Sequence, residues 1–234
     1  MEYVKENKSS EIIQIQRLSK NFQSGESQLE VLKNINMTIN ESEAICLLGP
    51  SGSGKSTLLQ IMGTLDRPTS GQVLIDGHSI FDMNDDQLSQ FRNEKMGFVF
   101  QFHHLVHELT ALENVILPCL LSEENRQLAE EKALKWFEYL GISERQHHYP
   151  NQLSGGELQR VSIARSLIKN PKILFADEPT GNLDSENSVK VQQLFFQLQK
   201  QLGLTLVVVT HDVEFAKQFS KIYRVQDGVV TLLT

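Results

Sequence analysis

Gly49-Pro50-Ser51-Gly52-Ser53-Gly54-Lys55-Ser56-Thr57 is the stretch that decides the fold. It matches G-x-x-x-x-G-K-[ST], follows the continuously apolar Ala44–Leu48, and opens the periodic segment Leu58, Leu59, Ile61, Met62. That order predicts a buried strand, a loop and a helix. Glycines let a backbone curl until successive N–H groups converge on phosphate oxygens. The helix N-terminus adds the positive end of its dipole. Lys55 supplies a point charge for β and γ phosphates, and the Ser56 hydroxyl can ligate magnesium. The bland reading is a Gly/Ser-rich loop that merely turns, and it does not explain a complete motif in this context. All nine residues are candidate nucleotide contacts.

Downstream of the loop, Ile173–Ala176 and Leu206–Val209 are also continuous apolar runs, which predicts parallel strands covered on both faces. The first runs into Asp177-Glu178. Adjacent acids at a buried strand end are costly unless they meet a cation or solvent. Asp177 is therefore a candidate magnesium group and Glu178 a candidate general base for the attacking water. The competing reading is a strand-ending turn before Pro179. Two more apolar runs lead into Gln101 and His211, and polar side chains at the carboxyl ends of parallel strands face the ligand crevice. Three such ends favour a γ-phosphate sensor set over satisfied structural residues. No N-K-x-D occurs to read guanine, which argues against a Ras-like GTPase.

The rest of the chain places this centre in an α/β core. Ile13 and Ile15, then Ile35, Met37 and Ile39, alternate at period two and predict half-buried antiparallel strands. Ala129, Ala133, Trp136, Phe137 and Leu140 share a helix face that Gly141 would cap. Val191, Leu194, Phe195, Leu198 and Leu202 make a second stripe. Ile222–Val225, Asp227-Gly228 and Val229-Val230 read as a closing hairpin. Between Gln101 and Leu167 only helices are legible, an inserted lobe.

Composition narrows the class. With 234 residues, 40% of them hydrophobic and 22% charged, the chain is that of an ordinary globular protein, not a disordered or collagenous one. A net charge of −7 makes it a poor general binder of nucleic acid. Cys46 and Cys119, the two cysteines, cannot form a disulfide framework; Cys46 reads as a core residue. The polar start MEYVKENKSS lacks the apolar stretch of a secretory signal. The longest apolar runs, Val115–Leu121 and Leu206–Val209, fall short of the ~20 residues that span a bilayer. Work at a membrane would need another chain.

Leu153-Ser154-Gly155-Gly156-Glu157 precedes a long helical pattern, Leu158, Val161, Ile163, Ala164, Leu167 and Ile168. Ser154 and Glu157 form an S-x-x-E capping box, which is one reading. A cap does not require two consecutive glycines. Gly155 and Gly156 leave N–H groups bare at a helix start, a second anion site.

L-S-G-G-E-x-Q-R between the phosphate loop and the Asp177 strand resembles the signature of the ABC-transporter ATPase family, and the resemblance runs from about Ile12 to the C-terminus. It implies a P-loop NTPase (RecA-like) core with an antiparallel β subdomain and a helical subdomain inserted at about 102–166, in one ATP-binding domain over 12–234. It implies ATP and Mg2+, and a head-to-tail homodimer. Each ATP would then lie between one chain's phosphate loop and the other's Ser154, Gly155, Gly156 and Glu157. Catalytic roles fall to Glu178, His211 and Gln101, and magnesium to Ser56, Gln101 and Asp177. Asp184 matches the D-loop aspartate and Phe22 the adenine-stacking aromatic, with a core-packing Phe22 as the competing reading.

Gly97-Phe98-Val99-Phe100-Gln101-Phe102-His103-His104-Leu105 and Thr110-Ala111-Leu112-Glu113-Asn114-Val115 look like the LolD-type branch, the ATPases of lipoprotein-releasing complexes. Leu65–Gly71 and Pro179–Asp184 fit it too but are shared with MacB-type efflux and FtsE-like cell-division ATPases. That branch implies integral membrane LolC/LolE-type permease partners that handle the lipoprotein cargo, no nucleic acid, and a peripheral place on the cytoplasmic face of the inner membrane. The segment from Gln101 to His107 is expected to face the membrane partner. His107 stands where the branch is expected to have proline. His103, His104 and His107 also spell H-H-x-x-H, but no acidic or cysteine ligand completes a metal set nearby. MacB-type proteins usually fuse membrane spans to the ATPase, and DNA- or ribosome-acting relatives carry coiled coils, zinc modules or tandem ATPase domains. None of these is visible here.

Overall fold

The computed structural model describes residues 11–25 and 27–233. The period-two segments become β1 (Glu11–Ser24) and β2 (Ser27–Asn40), an antiparallel pair with Ile13 opposite Ile39 and Ile15 opposite Met37. β3 (Ala44–Leu48) leaves this sheet and feeds the phosphate loop and α1 (Lys55–Met62). β4 (Ser70–Ile75) and β5 (His78–Ser79) return to it, giving the order β2-β1-β4-β5.

After α2 (Asp85–Lys95) and β6 (Met96–Phe100) comes the helical lobe: α3 (Ala111–Leu121), α4 (Arg126–Tyr139) and α5 (Gly155–Leu167). Side chains start these helices, Asn84 for α2, Thr110 for α3, Asn125 for α4 and Ser154 for α5. Gly141 follows α4 at φ 66°, the left-handed C-cap expected of it. Fully buried Asn114 ties the lobe's entry loop, accepting from Val106 N–H at 2.8 Å and donating to the carbonyls of Val106, Leu109 and Thr110.

The chain closes with β7 (Ile173–Asp177), α6 (Ser185–Leu202), β8 (Thr205–Thr210), α7 (Val213–Ala216), β9 (Lys221–Gln226) and β10 (Val229–Leu232). Asp227 (φ 52°) and Gly228 (φ 79°) are both left-handed, as a two-residue hairpin turn requires. The second sheet has the order β10-β9-β3-β8-β7-β6, parallel except for β10. Its two faces are covered by separate cores. Cys46, Ala176, Val208, Phe137, Phe195 and Phe215 pack toward the helices. Ile45, Leu47, Phe175, Val207 and Val209 pack toward α1 and the first sheet. Burial on both faces is why β3, β7 and β8 read as unbroken apolar runs.

Register fixes the rest. Leu48 pairs with Thr210, Val209 with Asp177, and Asp177 with Phe100. The strand ends that precede the loop, His211, Glu178 and Gln101 are thereby aligned along one edge.

Candidate active site

Three backbone facts shape the phosphate loop. A Cβ on Gly49 would lie 2.1 Å from the Val225 carbonyl oxygen, so the loop can leave β3 only as glycine. Gly52 (φ 77°) and Gly54 (φ 100°) hold left-handed conformations that complete the curl. Alone among the helices of eight residues or more described here, α1 begins with no side-chain cap, at Gly54. Its first N–H groups therefore lack a side-chain acceptor. The Ser53 hydroxyl is buried with no hydrogen-bond partner. Lys55, 5% exposed, folds back to donate to the Pro50 carbonyl at 2.9 Å. Ser51 and Pro50 are exposed at the loop's crown, and Thr57 is half-buried in the first turn.

Next to the loop, the Ser56 hydroxyl donates to Asp177 Oδ1 at 3.1 Å. Burial raises the Asp177 pKa and Glu178's charge adds to this, while the Ser56 bond and Lys55 oppose it. Glu178 lies just past the strand at φ 46°, its N–H on the Val209 carbonyl. Thr210 Oγ1 donates to its Oε2 at 3.2 Å, and His211 in the Nδ1–H tautomer donates to Oε1 at 2.8 Å. Sequence reasoning missed Thr210, which ends an apolar run without any motif of its own.

Gln101 goes elsewhere. Of the three magnesium candidates, Ser56 and Asp177 meet, whereas Gln101 Nε2 donates to Asn182 Oδ1 at 3.1 Å and its carbonyl accepts from Asn182 Nδ2 at 2.8 Å. A Cβ on Gly181 would come within 2.9 Å of Gln101 Nε2, so that glycine makes the room. Asn182 is a second functional candidate the sequence did not single out. Asp184 caps α6 by accepting from Asn187 N–H at 2.9 Å.

At the start of α5, Ser154 accepts from Glu157 N–H at 3.4 Å while Glu157 Oε2 accepts from Ser154 N–H at 2.8 Å, a complete capping box. Glu157 also takes a 2.6 Å bond from Arg145 Nε, and these donors, Arg145 first, lower its pKa to about 2. Its carboxylate thus holds the cap rather than reaching outward. Gly155 and Gly156 leave ordinary contact space for a Cβ, 3.4 Å from Leu183 Cδ2 and 3.5 Å from Asn187 Oδ1. Nothing inside the chain demands glycine at either position. Phe22 is 41% exposed, with Lys20 Nζ 4.8 Å from its ring centre, so it is not a core residue.

Beyond Gln101 the backbone is unusual. His103 (φ 59°) and His104 (φ 50°) are both left-handed, and Phe102 is 71% exposed. The His104 ring meets Phe100 edge-on at 5.0 Å. Burial, Arg165 and His104 lower the His103 pKa. A cleft of about 1040 Å3 opens here between α2 and the lobe, lined by Phe98, Phe100, His104, Leu121, Arg165 and Lys169 among others. No helix among the described residues is long and apolar enough to cross a membrane.

Comparison with known proteins agrees with this geometry. The family model described as ABC transporter matches residues 32–181. The lipoprotein-releasing system ATP-binding protein LolD of Bdellovibrio bacteriovorus is 56% identical over 211 residues, 90% of this chain and 96% of that protein. LolD of Geobacter metallireducens is 48% identical over 221 residues, 94% of this chain and 98% of its own. Among solved structures, the dimeric ABC transporter cassette MJ0796 superposes with a TM-score of 0.87 at 43% identity, covering 94% of this chain and 96% of that one. A dimeric post-hydrolysis state of that cassette, bound to ADP and Pi, scores the same.

Proposed function

Because the chain belongs to the ABC transporter family of ATP-binding proteins, we propose that it is the ATP-hydrolysing subunit of a lipoprotein-releasing complex, one ATP-binding domain over 12–234. The observation that carries the hydrolysis reading is the clamped Glu178 carboxylate, held by Thr210 and His211 beside the Ser56–Asp177 pair. The lipoprotein branch rests on the likeness to LolD proteins over nearly their whole length.

The residues present fit the groups the reaction needs. The uncapped start of α1 and the unpartnered Ser53 hydroxyl are donors that a phosphate satisfies. Ser56 and Asp177 supply the hard oxygens that suit magnesium, which when bound neutralises charge developing on the β and γ phosphates. Lys55 exchanges the Pro50 carbonyl for phosphate oxygen. Glu178 then orients a water and accepts its proton. The Thr210 and His211 donors hold the carboxylate in one rotamer so that its free lone pairs face that water. Gln101, paired with Asn182, ties the β6 end to the loop after Glu178, and Phe22 offers an exposed ring for the adenine.

Gly155 and Gly156 support a two-chain site. A Cβ at either position would make only ordinary contacts within the chain, so the glycines serve whatever approaches from outside. In a head-to-tail homodimer that is the ATP on the other chain's phosphate loop. The cleft beside Phe102 and His104 is the surface offered to LolC/LolE-type membrane subunits, which would hold the protein at the cytoplasmic face of the inner membrane. Reconstituting the chain with such subunits in proteoliposomes tests the reading, with ATP-dependent release of a lipid-modified lipoprotein as the expected result. Hydrolysis stimulated by those subunits without any release would overturn the cargo assignment.

A further inference from the structure

Arg165 sits in the last turn of α5 and makes no contact with the phosphate loop or with Glu178 in the hydrogen-bond pattern described here. Its guanidinium donates through one terminal nitrogen to the His104 carbonyl at 2.6 Å and through the other to the His103 carbonyl at 2.5 Å. Burial lowers its pKa to about 10, and among the described residues no carboxylate forms an ion pair with it. Its hydrogen-bond partners are two carbonyl dipoles, while the side chain itself is half-buried on the wall of the cleft beside α2. What it gains is geometric. The two carbonyls belong to consecutive left-handed residues, a conformation disfavoured for any residue with a Cβ, and the planar fork fixes both at once. This held bulge begins two residues after Gln101.

The same helix starts at Gly155, about 15 Å from Arg165 along its axis. It packs closely on β6, where only glycine fits at position 97, because a Cβ there would meet the Ser166 carbonyl at 2.3 Å. One helix therefore joins the glycines that the two-chain site would offer to one nucleotide with the segment after Gln101, the candidate γ-phosphate sensor of the other. We propose that Arg165 is a positioning residue that sets Gln101 through the backbone of His103 and His104 and so couples the two ATP sites of the dimer. The inference rests on the two-chain site argued above.

The test uses the isolated full-length chain. Arg165→Met should lower kcat about tenfold and bring the Hill coefficient for ATP close to 1, with nucleotide affinity changed less than about twofold. Arg165→Lys, able to reach one carbonyl, should recover part of kcat. Adding His103→Gly and His104→Gly to Arg165→Met should restore more, since glycine adopts the bulge without the tether. A purely packing role predicts a lower melting temperature that neither lysine nor the glycines repair, and that result would overturn the proposal. So would wild-type kcat and cooperativity in Arg165→Met, or a wild-type Hill coefficient of 1. The two-chain site is judged separately, by whether hydrolysis returns on mixing Lys55→Ala with Ser154→Arg chains.

Discussion

Glu178 occupies a left-handed conformation just beyond a buried strand, a position that costs roughly 1–2 kcal/mol for a residue with a side chain. The structure keeps it there with three bonds, from its own N–H to Val209 and to its carboxylate from Thr210 and His211. Strain held by surrounding bonds at a strand end is what a positioned base requires. Glu178→Gln preserves shape and removes the proton acceptor, so ATP should bind normally while turnover falls ~10²–10⁴-fold. Rapid-quench hydrolysis beside equilibrium nucleotide binding checks both halves; near-normal turnover would remove the base from this residue. The acids at the end of β7 were legible from the apolar run before them, and only the phosphate loop upstream favoured chemistry over a strand-ending turn. Thr210 and Asn182 were not, since their partners lie 32 and 81 positions away and only the parallel register brings them together.

Among elements, α5 shows most plainly what local chemistry does and does not reveal. Its start was readable as S-x-x-E, and the capping box forms as read. The ion pair that reinforces it was hidden, because Arg145 belongs to a short 3-10 turn with no periodic signal. That pair sets a pH dependence with a definite sign. The folded Glu157 pKa, about 2, lies below its ordinary value of 4.5. Its contribution is therefore complete above the ordinary value and lost as pH falls from there toward about 2. Denaturant unfolding of wild type and Glu157→Gln should differ most near neutrality and converge on acidification. A constant difference across that range would mean the pair does not titrate as a unit. β4 shows the opposite case. Its first half, Ser70-Gly71-Gln72, is exposed and carries no alternation, and the strand exists because β1 offers it an edge. The bulges in β1 near Arg17, itself at φ 50°, were equally unreadable, since they follow from tertiary pairing rather than from period.

Among the described residues two helix starts suit anions, and the proposed two-chain site gives them different partners. α1 is uncapped and lies beside Asp177, whereas α5 starts in the helical lobe with glycines that no internal contact requires. If both served one ATP within a chain, Lys55→Ala and Ser154→Arg would be inactive alone and together. In the head-to-tail arrangement a mixed dimer has one doubly damaged site and one intact site. Mixing the two inactive proteins should restore ATPase activity below the wild-type level, with ATP-driven dimer formation as a second readout. Absence of rescue in both assays at every ratio would defeat the arrangement. Fold class and lobe insertion followed from the order of apolar patterns, but which surfaces meet across chains had no counterpart in periodicity. The common line on which β3, β6, β7 and β8 finish carries a further consequence. Position along these strands is counted in whole residues, and one residue gained or lost turns every later side chain to the opposite face. The chemistry is thus indexed by strand length in discrete steps, whereas turns far from that line carry no such index. Variation in this molecule has open places to accumulate and a few rows where only substitution, never insertion, is survivable.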